Sequence, residues 1–345
     1  MSAHNHLRCI LPPSLLDKLA RSDDADLRAA ALDAMALDNR FRIARAESAS
    51  RIGGRRAAPI TFARIGGQVN RTIYDKHHDT SQTLGKVVRA EGQPAADDVA
   101  VTEGYDGLGE TYDYYWSTFQ RDSINGQGQS LLGCVHFGTD YPNAFWDGHA
   151  MFFGDGDGRF LTRTTAGIDV IGHELTHGVT QYEANLVYSG QSGALNESIS
   201  DVFGIQVKQR ALGLNSETSD WLIGADIVGP ELAPALRSMK DPGQANPHDD
   251  QPADMDGYVD GGDVHTNSGI PNRAFYLVAS KLGGNAWDAA GPIWYATLRD
   301  NRLNSTATFQ EFARLTLANA QQTYGRQSAQ AEAVSGAWDT VKVPL

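Results

Sequence analysis

Two short runs constrain this 345-residue chain more than anything else in it. In Gly167-Ile168-Asp169-Val170-Ile171-Gly172-His173-Glu174-Leu175-Thr176-His177 the histidines stand four apart. On a helix that spacing projects both imidazoles from one face, where they can grip one ion, and leaves Glu174 offset around the helix. A carboxylate so placed is a poor third ligand, but it can take a proton from water held by the metal. By itself the pattern fits two histidines and a glutamate on a solvated helix equally well.

The second run, Ser192-Gly193-Ala194-Leu195-Asn196-Glu197-Ser198-Ile199-Ser200-Asp201, puts two carboxylates four apart at the start of another predicted helix. Glu197 can complete a His173-His177-Glu197 set with one zinc position open, while Asp201 can accept the far N–H of a ligand histidine and fix its tautomer. Preference for acidic residues near a helix N-terminus accounts for either carboxylate alone. It does not account for both, placed after the histidine pair.

Around these runs the chain reads in three parts. After Pro12-Pro13, residues 14 to about 45 carry apolar positions at helical spacings, with a break near Ser22 to Asp26. Residues 46 to 59, with Gly53-Gly54-Arg55-Arg56, offer no apolar face and read as a protease-accessible linker after a helical segment of residues 1 to 50. Residues 60 to 165 hold short apolar runs such as Thr72-Ile73-Tyr74 and Met151-Phe152-Phe153, the texture of a strand-rich lobe with one helix at 100 to 119. From 166 to 345 the pattern is helical, at 167–182, 194–212, 270–283, 286–299 and 307–323. The expected class is α+β, a β-rich lobe followed by an α-helical lobe with the chemistry in the cleft between them.

The charge excludes some partners. At −13 the chain is unsuited to nucleic acid or anionic lipid, and no segment approaches a membrane span. Residues 1 to 56 hold ten Lys/Arg against seven Asp/Glu, a net of +3 that leaves −16 for the rest, so a basic front end can dock on an acidic body. Cys9 and Cys134, the two cysteines, read as unpaired thiols. The opening residues lack the apolar core of a Sec signal, so residence in the cytoplasm or release by a non-Sec route is expected.

Taken together, these segments resemble the thermolysin-like zinc peptidases, and most of all their protealysin-like subgroup, over about residues 60 to 345. The likeness also runs through Asn143-Ala144-Phe145-Trp146, Gly154-Asp155-Gly156-Asp157-Gly158, Leu236-Arg237-Ser238-Met239 and Val264-His265-Thr266-Asn267-Ser268-Gly269-Ile270. It implies a two-lobe fold and a neutral zinc endopeptidase using water activated by Glu174. His265 and Tyr188 would stabilise the oxyanion, Asp260 would orient His265, and Asn196 joins Asp201 in supporting the ligands. Asn143, the Ala144 carbonyl and Arg237 would hold substrate backbone. Leu161, Val170, Ile223 and Leu236 would line the pocket that receives a bulky hydrophobic residue after the scissile bond.

The resemblance extends to the front. Ile10-Leu11-Pro12-Pro13-Ser14-Leu15-Leu16 is similar to the Pro-Pro-x-Leu motif of that subgroup's short propeptides, with Pro12, Pro13 and Leu15 matching. This implies a latent precursor inhibited by its own propeptide, and a plain helical extension is the alternative. A Cys9 thiolate on zinc would be a second means of inhibition. Where thermolysin gathers carboxylates into a double calcium site, this chain keeps Asp169 and Asp220 but has Lys208, Leu222 and Ala225, so that site is expected to be absent and Lys208 to neutralise Asp169. The Gly154–Gly158 run lacks a later bidentate glutamate and reads as a turn. Partners implied are peptide or protein substrates and a small proteinaceous inhibitor. A zinc-binding protein without turnover is the rival from another class, but Glu174, His265 and Tyr188 are all present. An exopeptidase would need a charged group to capture a substrate terminus, and none is identifiable.

Overall fold

The computed structural model describes residues 8–36, 66–81 and 83–345. The 46–59 segment and residues 60–65 lie outside the described residues.

The front segment enters as a two-residue strand, β1 (Arg8–Cys9), and turns into helix α1 (Pro13–Leu19). Pro12 caps this helix and Pro13 occupies its first turn, where a missing N–H costs nothing. A second helix, α2, covers residues 25–36, and the predicted break is real: Asp24 Oδ1 accepts from the backbone N–H groups of Asp26 and Leu27. Leu16, Leu19, Leu27, Ala31 and Ala34 are the buried face of the pair.

The sheet that follows contains β2 (Arg71–Asp75), β3 (Lys86–Ala90), β4 (Leu131–Val135), β5 (Ala144–Trp146) and β6 (Met151–Phe153), in the order β1-β5-β6-β4-β2-β3. Strand β1 therefore forms an edge, antiparallel to β5, with Cys9 opposite Phe145. The two sheet faces differ by the period of two. Cys9, Phe145, Phe152 and Cys134 belong to one apolar cluster, while Ala144, Trp146, Met151 and Phe153 belong to the main core with the helices.

The 21-residue helix α3 (Val99–Phe119) is capped by Asp98, whose side chain accepts from the N–H groups of Ala100 and Val101. It lies on the core face of the sheet, and at Gly107 a β-carbon would come within 2.3 Å of Ile171, so only glycine lets α3 approach the next helix this closely.

The helical part comprises α4 (Ile168–Tyr182), α5 (Gly190–Ala211), α6 (Val264–Asn267), α7 (Gly269–Leu282), α8 (Ala290–Leu298), α9 (Phe309–Tyr324) and α10 (Ala329–Thr340). A small hairpin of β7 (Leu222–Ile223) and β8 (Arg237–Ser238) lies between α5 and α6. Helix α9 begins with a reciprocal capping box between Thr308 and Glu311. Helix α10 had no counterpart in the sequence reading. Its buried side is largely alanine, Ala331, Ala333 and Ala337 beside Val334 and Trp338, which gives a weak apolar periodicity. Among the described residues no helix is long and apolar enough to cross a membrane.

Candidate active site

Helices α4 and α5 form one closely packed seam. At Gly204 a β-carbon would lie 2.5 Å from the Asp169 carbonyl and 3.0 Å from the His173 nitrogen, and Gly172 faces the Gly204 backbone from the other side. This pair of glycines lets the two backbones nearly touch, which brings His173 and His177 on α4 against Glu197 and Asp201 on α5. Neither glycine stood out in the sequence, because closeness of that kind is a property of two helices.

The facing ligand atoms of His173, His177 and Glu197 all lie within 4.8 Å of one another, and all three residues are buried. Both rings are oriented from behind. His173 Nδ1 donates to Asp201 at 2.8 Å, and His177 Nδ1 donates to Asn196 Oδ1 at 2.8 Å with Ser200 Oγ 3.0 Å away. Each Nε2 is thereby turned toward Glu197, at 3.4 and 3.3 Å. Asp201 in turn receives two bonds from Arg237, both at 2.7 Å, and one from Asn272 at 2.8 Å. Burial opposes its ionisation, but Arg237 and His173 hold it well below the usual carboxylate range. Glu197 is likewise buried and held well below its ordinary value, by His265, His177 and His173.

Glu174 is the reverse case. Burial pushes its carboxyl up to about 8, against the pull of His173 and a hydrogen bond from the Trp146 N–H to Oε2. Oε1 has no hydrogen-bond partner among the described residues.

His265, on α6, lies across the cleft. Its Nδ1 donates to a carboxylate at 2.7 Å, but that carboxylate is Asp263, which also caps α6. Asp260 is exposed, and this corrects the assignment made from sequence. A residue two before histidine at a helix start reaches both its backbone and its ring, whereas Asp260 precedes the turn at Gly261. Burial opposes protonation of His265, but Glu197 and Asp263 raise its pKa above the ordinary value. Tyr188 donates to Glu197, and its hydroxyl is 3.3 Å from His265 Nε2.

The front segment runs through this cleft. Ile10 N donates to the Ala144 carbonyl at 3.3 Å, Arg237 Nη1 donates to the Ile10 carbonyl at 3.3 Å, and Leu11 N donates to Asn143 Oδ1 at 3.0 Å. His265 Nε2 donates to the Cys9 carbonyl at 3.0 Å. Beyond Leu11 a small crevice of about 30 Å³ is lined by Pro12, Leu15, Leu236, Arg237, His248 and His265. Leu15 is half-buried there, while Leu11 and Leu16 are fully buried. The side chain of Cys9 belongs to the apolar cluster on the aromatic face of the sheet, its Sγ donates to the Leu11 carbonyl at 3.5 Å, and its carbonyl accepts from His265. Leu161, Val170, Ile223 and Leu236 are buried in the same apolar cluster as Ile10.

Sequence comparison gives two matches that tile this architecture. A family model described as the thermolysin metallopeptidase catalytic domain matches residues 64–181, and one described as the thermolysin metallopeptidase alpha-helical domain matches 184–343. The chain belongs to the thermolysin metallopeptidase family. It is a metalloendopeptidase of the neutral-protease type. An extracellular metalloprotease of Pectobacterium carotovorum subsp. carotovorum is 51% identical over 289 residues, 81% of this chain and 82% of that one. Protease PrtS of a Photorhabdus species is 45% identical over 270 residues, 74% and 72% of the two chains. Among solved structures, the precursor of protealysin from Serratia proteamaculans superposes with a TM-score of 0.85 at 44% identity, covering 98% of this chain and all of that one.

Thermolysin-family enzymes use zinc, and the buried set here fits it. His173 Nε2 and Glu197 Oε2 have no hydrogen-bond partner among the described residues, although both are fully buried. Burial opposes protonation of His173, but Asp201 and Glu197 raise its pKa to about 9, so the site favours positive charge, which a zinc ion held by His173, His177 and Glu197 would supply.

Away from the cleft, Lys208 on α5 carries its ammonium into a group of three carboxylates, 3.7 Å from Asp169, 3.7 Å from Asp220 and 3.9 Å from Asp226, and donates to the Leu222 carbonyl at 3.3 Å. The Gly154–Gly158 run is irregular backbone that leads into a bend at residues 158–160. Asp157 Oδ1 accepts from the N–H groups of Arg159, Phe160 and Leu161, and a β-carbon at Gly156 would collide with the Leu161 carbonyl at 2.2 Å.

Proposed function

We propose that the chain is a latent zinc endopeptidase that cuts before bulky hydrophobic residues, and that residues 1 to about 50 are its inhibitory propeptide, removed by cleavage within 46–59. One observation carries this reading. Main-chain atoms of Cys9, Ile10 and Leu11 already engage His265, Ala144, Arg237 and Asn143, the groups expected to hold substrate backbone. A cleft filled in this way excludes substrate. That one solved relative is a precursor supports the same view.

When bound by His173, His177 and Glu197, zinc supplies a Lewis acid that polarises the scissile carbonyl and acidifies water. Glu174, whose Oε1 is unengaged, takes the proton of the attacking water and passes it to the leaving amine. His265, held by Asp263, and Tyr188 donate to the carbonyl oxygen as negative charge develops there. Arg237 and Asn143 fix the backbone on the leaving side. Leu161, Val170, Ile223 and Leu236 offer that side an apolar pocket, in which burying a large aliphatic side chain contributes about 1.5–3 kcal/mol.

Lys208 supports a second point. Its ammonium neutralises carboxylates that would otherwise attract calcium, so we infer that the double calcium site is replaced by an ion-pair cluster.

The test is intact mass of the wild-type chain beside Glu174→Ala, each incubated with zinc. Loss of the front segment from wild type alone, with zinc bound by both, supports self-processing and the role of Glu174. Identical behaviour of the two overturns self-processing.

A further inference from the structure

The front segment does more than fill the cleft: its direction and register can be read. Hydrogen bonds go from His265 to the Cys9 carbonyl, from Ile10 N to Ala144, from Arg237 to the Ile10 carbonyl and from Leu11 N to Asn143. His265 is an oxyanion donor in the proposed mechanism, so the carbonyl it holds marks the reacting position. Cys9 then stands where the residue before a scissile bond stands, and Ile10 where the residue after it stands.

Their side chains fall in different apolar clusters on the two sides of the sheet. Ile10 goes to the core face, where it is fully buried in the main core, which also contains the aliphatic residues proposed as the pocket. Cys9 goes to the opposite face, opposite Phe145 in the ladder. There Phe137, Tyr141, Phe145 and Phe152 form a rigid set of rings. Phe137 meets Tyr141, Phe145 and Phe152 edge-on at 5.3, 5.2 and 5.3 Å, and Phe145 stacks on Phe152 at 5.0 Å. Cys9 is 0% exposed among them, and each ring is at most 4% exposed. Close-packed aromatic walls cannot yield to a larger side chain without shifting several rings at once.

We propose that Cys9-Ile10-Leu11 lies in the register of a substrate, with the Cys9 carbonyl at the reacting position, and that the rings around Cys9 select a small side chain immediately before the scissile bond. This rests on the endopeptidase reading above and adds a specificity on the side that the aliphatic pocket does not touch. Cys9 is the natural occupant of the box, and alanine or serine fits in its place.

Two measurements test it. Peptides identical except for Ala, Ser, Phe or Trp before an Ile-Leu pair are offered to the processed wild-type enzyme, with kcat/KM as readout. The same peptides are bound to Glu174→Ala that has been cut within 46–59 by added wild-type enzyme and separated from its front segment, with fluorescence anisotropy as a readout independent of turnover. In both, Ala and Ser are expected to exceed Trp by about tenfold or more, the consequence of overpacking a filled site. In the full chain, Cys9→Trp is expected to release the front segment to limited proteolysis, while Cys9→Ala retains it. Cleavage and binding with no preference between Ala and Trp overturn the inference and leave the endopeptidase reading standing. Cleavage of none of the peptides, with binding intact, counts against the endopeptidase reading instead. Equal retention of the front segment in Cys9→Trp and Cys9→Ala overturns the register.

Discussion

The seam between α4 and α5 holds two buried charged centres that began from similar material and ended differently. Asp169, His173 and His177 succeed one another every four residues on α4, and Glu197, Asp201 and Lys208 answer them on α5. At one end the histidines are oriented by Asp201 and Asn196 and turn nitrogen lone pairs toward Glu197, so the site calls for a cation from outside. At the other end the chain provides its own cation: Lys208 is 4% exposed and faces Asp169, Asp220 and Asp226. The difference lies in the source of the cation: the histidine–glutamate set must take one from outside, whereas the carboxylate cluster is met by the ammonium of Lys208. A chain-borne charge cannot dissociate and leaves no open coordination position, so it can stabilise but cannot catalyse.

The comparison can be broken most sharply at its catalytic end. Glu174→Gln is expected to lower kcat by about 10²–10⁴-fold, the usual contribution of a positioned general base, while zinc content by metal analysis stays at the wild-type level. At the other end, Lys208→Met strands Asp169 without its cation. A loss of about 3–5 kcal/mol in denaturant unfolding is expected, and calcium should not raise the wild-type melting temperature. A wild-type melting temperature that rises with calcium would show that the two ends are not different in kind.

Smaller effects sharpen it. Asp201→Ala, which removes the acceptor for His173 and the partner of Arg237, should weaken zinc binding by about 10–100-fold in a chelator titration. Asp263→Asn should reduce kcat/KM well beyond Asp260→Asn, which is expected to behave like wild type because that side chain is exposed. Equal effects of the two would restore the assignment made from sequence.

A third cluster marks what a titratable cation does in the same role. His136 donates to Asp155 and to the α3 cap Asp98, and Asp155 above all, against burial, raises its pKa to about 9. The folded value lies above the ordinary 6.5, so this stabilisation is complete below about pH 6.5 and fades as pH rises through about 9. Since His136 is partly exposed, an increment of about 1 kcal/mol is expected, present at pH 6 and gone at pH 10 when wild type is compared with His136→Asn. The Lys208 pair should show no such change over that range.

Much of the site was legible because its chemistry is local in sequence. A four-residue spacing on a helix is a statement about direction in space, so His173 and His177, and then Glu197 and Asp201, could be placed before any coordinates existed. The helices carrying them ran at 168–182 and 190–211, close to the reading. Where the signal was side-chain identity without periodicity, it failed: α10 buries alanines, and the partner of His265 depended on which aspartate the α6 turn brings to its ring.

The sequence by itself determined the donor set and the charge balance, since residue type and helical spacing suffice for those, and its resemblance over several ordered motifs pointed to the family. Only the tertiary structure decided how close the two helices approach, through the Gly172–Gly204 contact, and that Asp263 rather than Asp260 holds His265. It alone decided which face of the edge strand Cys9 presents. Each of these depends on the packing of segments distant along the chain, and a contact between distant segments leaves no period in the sequence of either one.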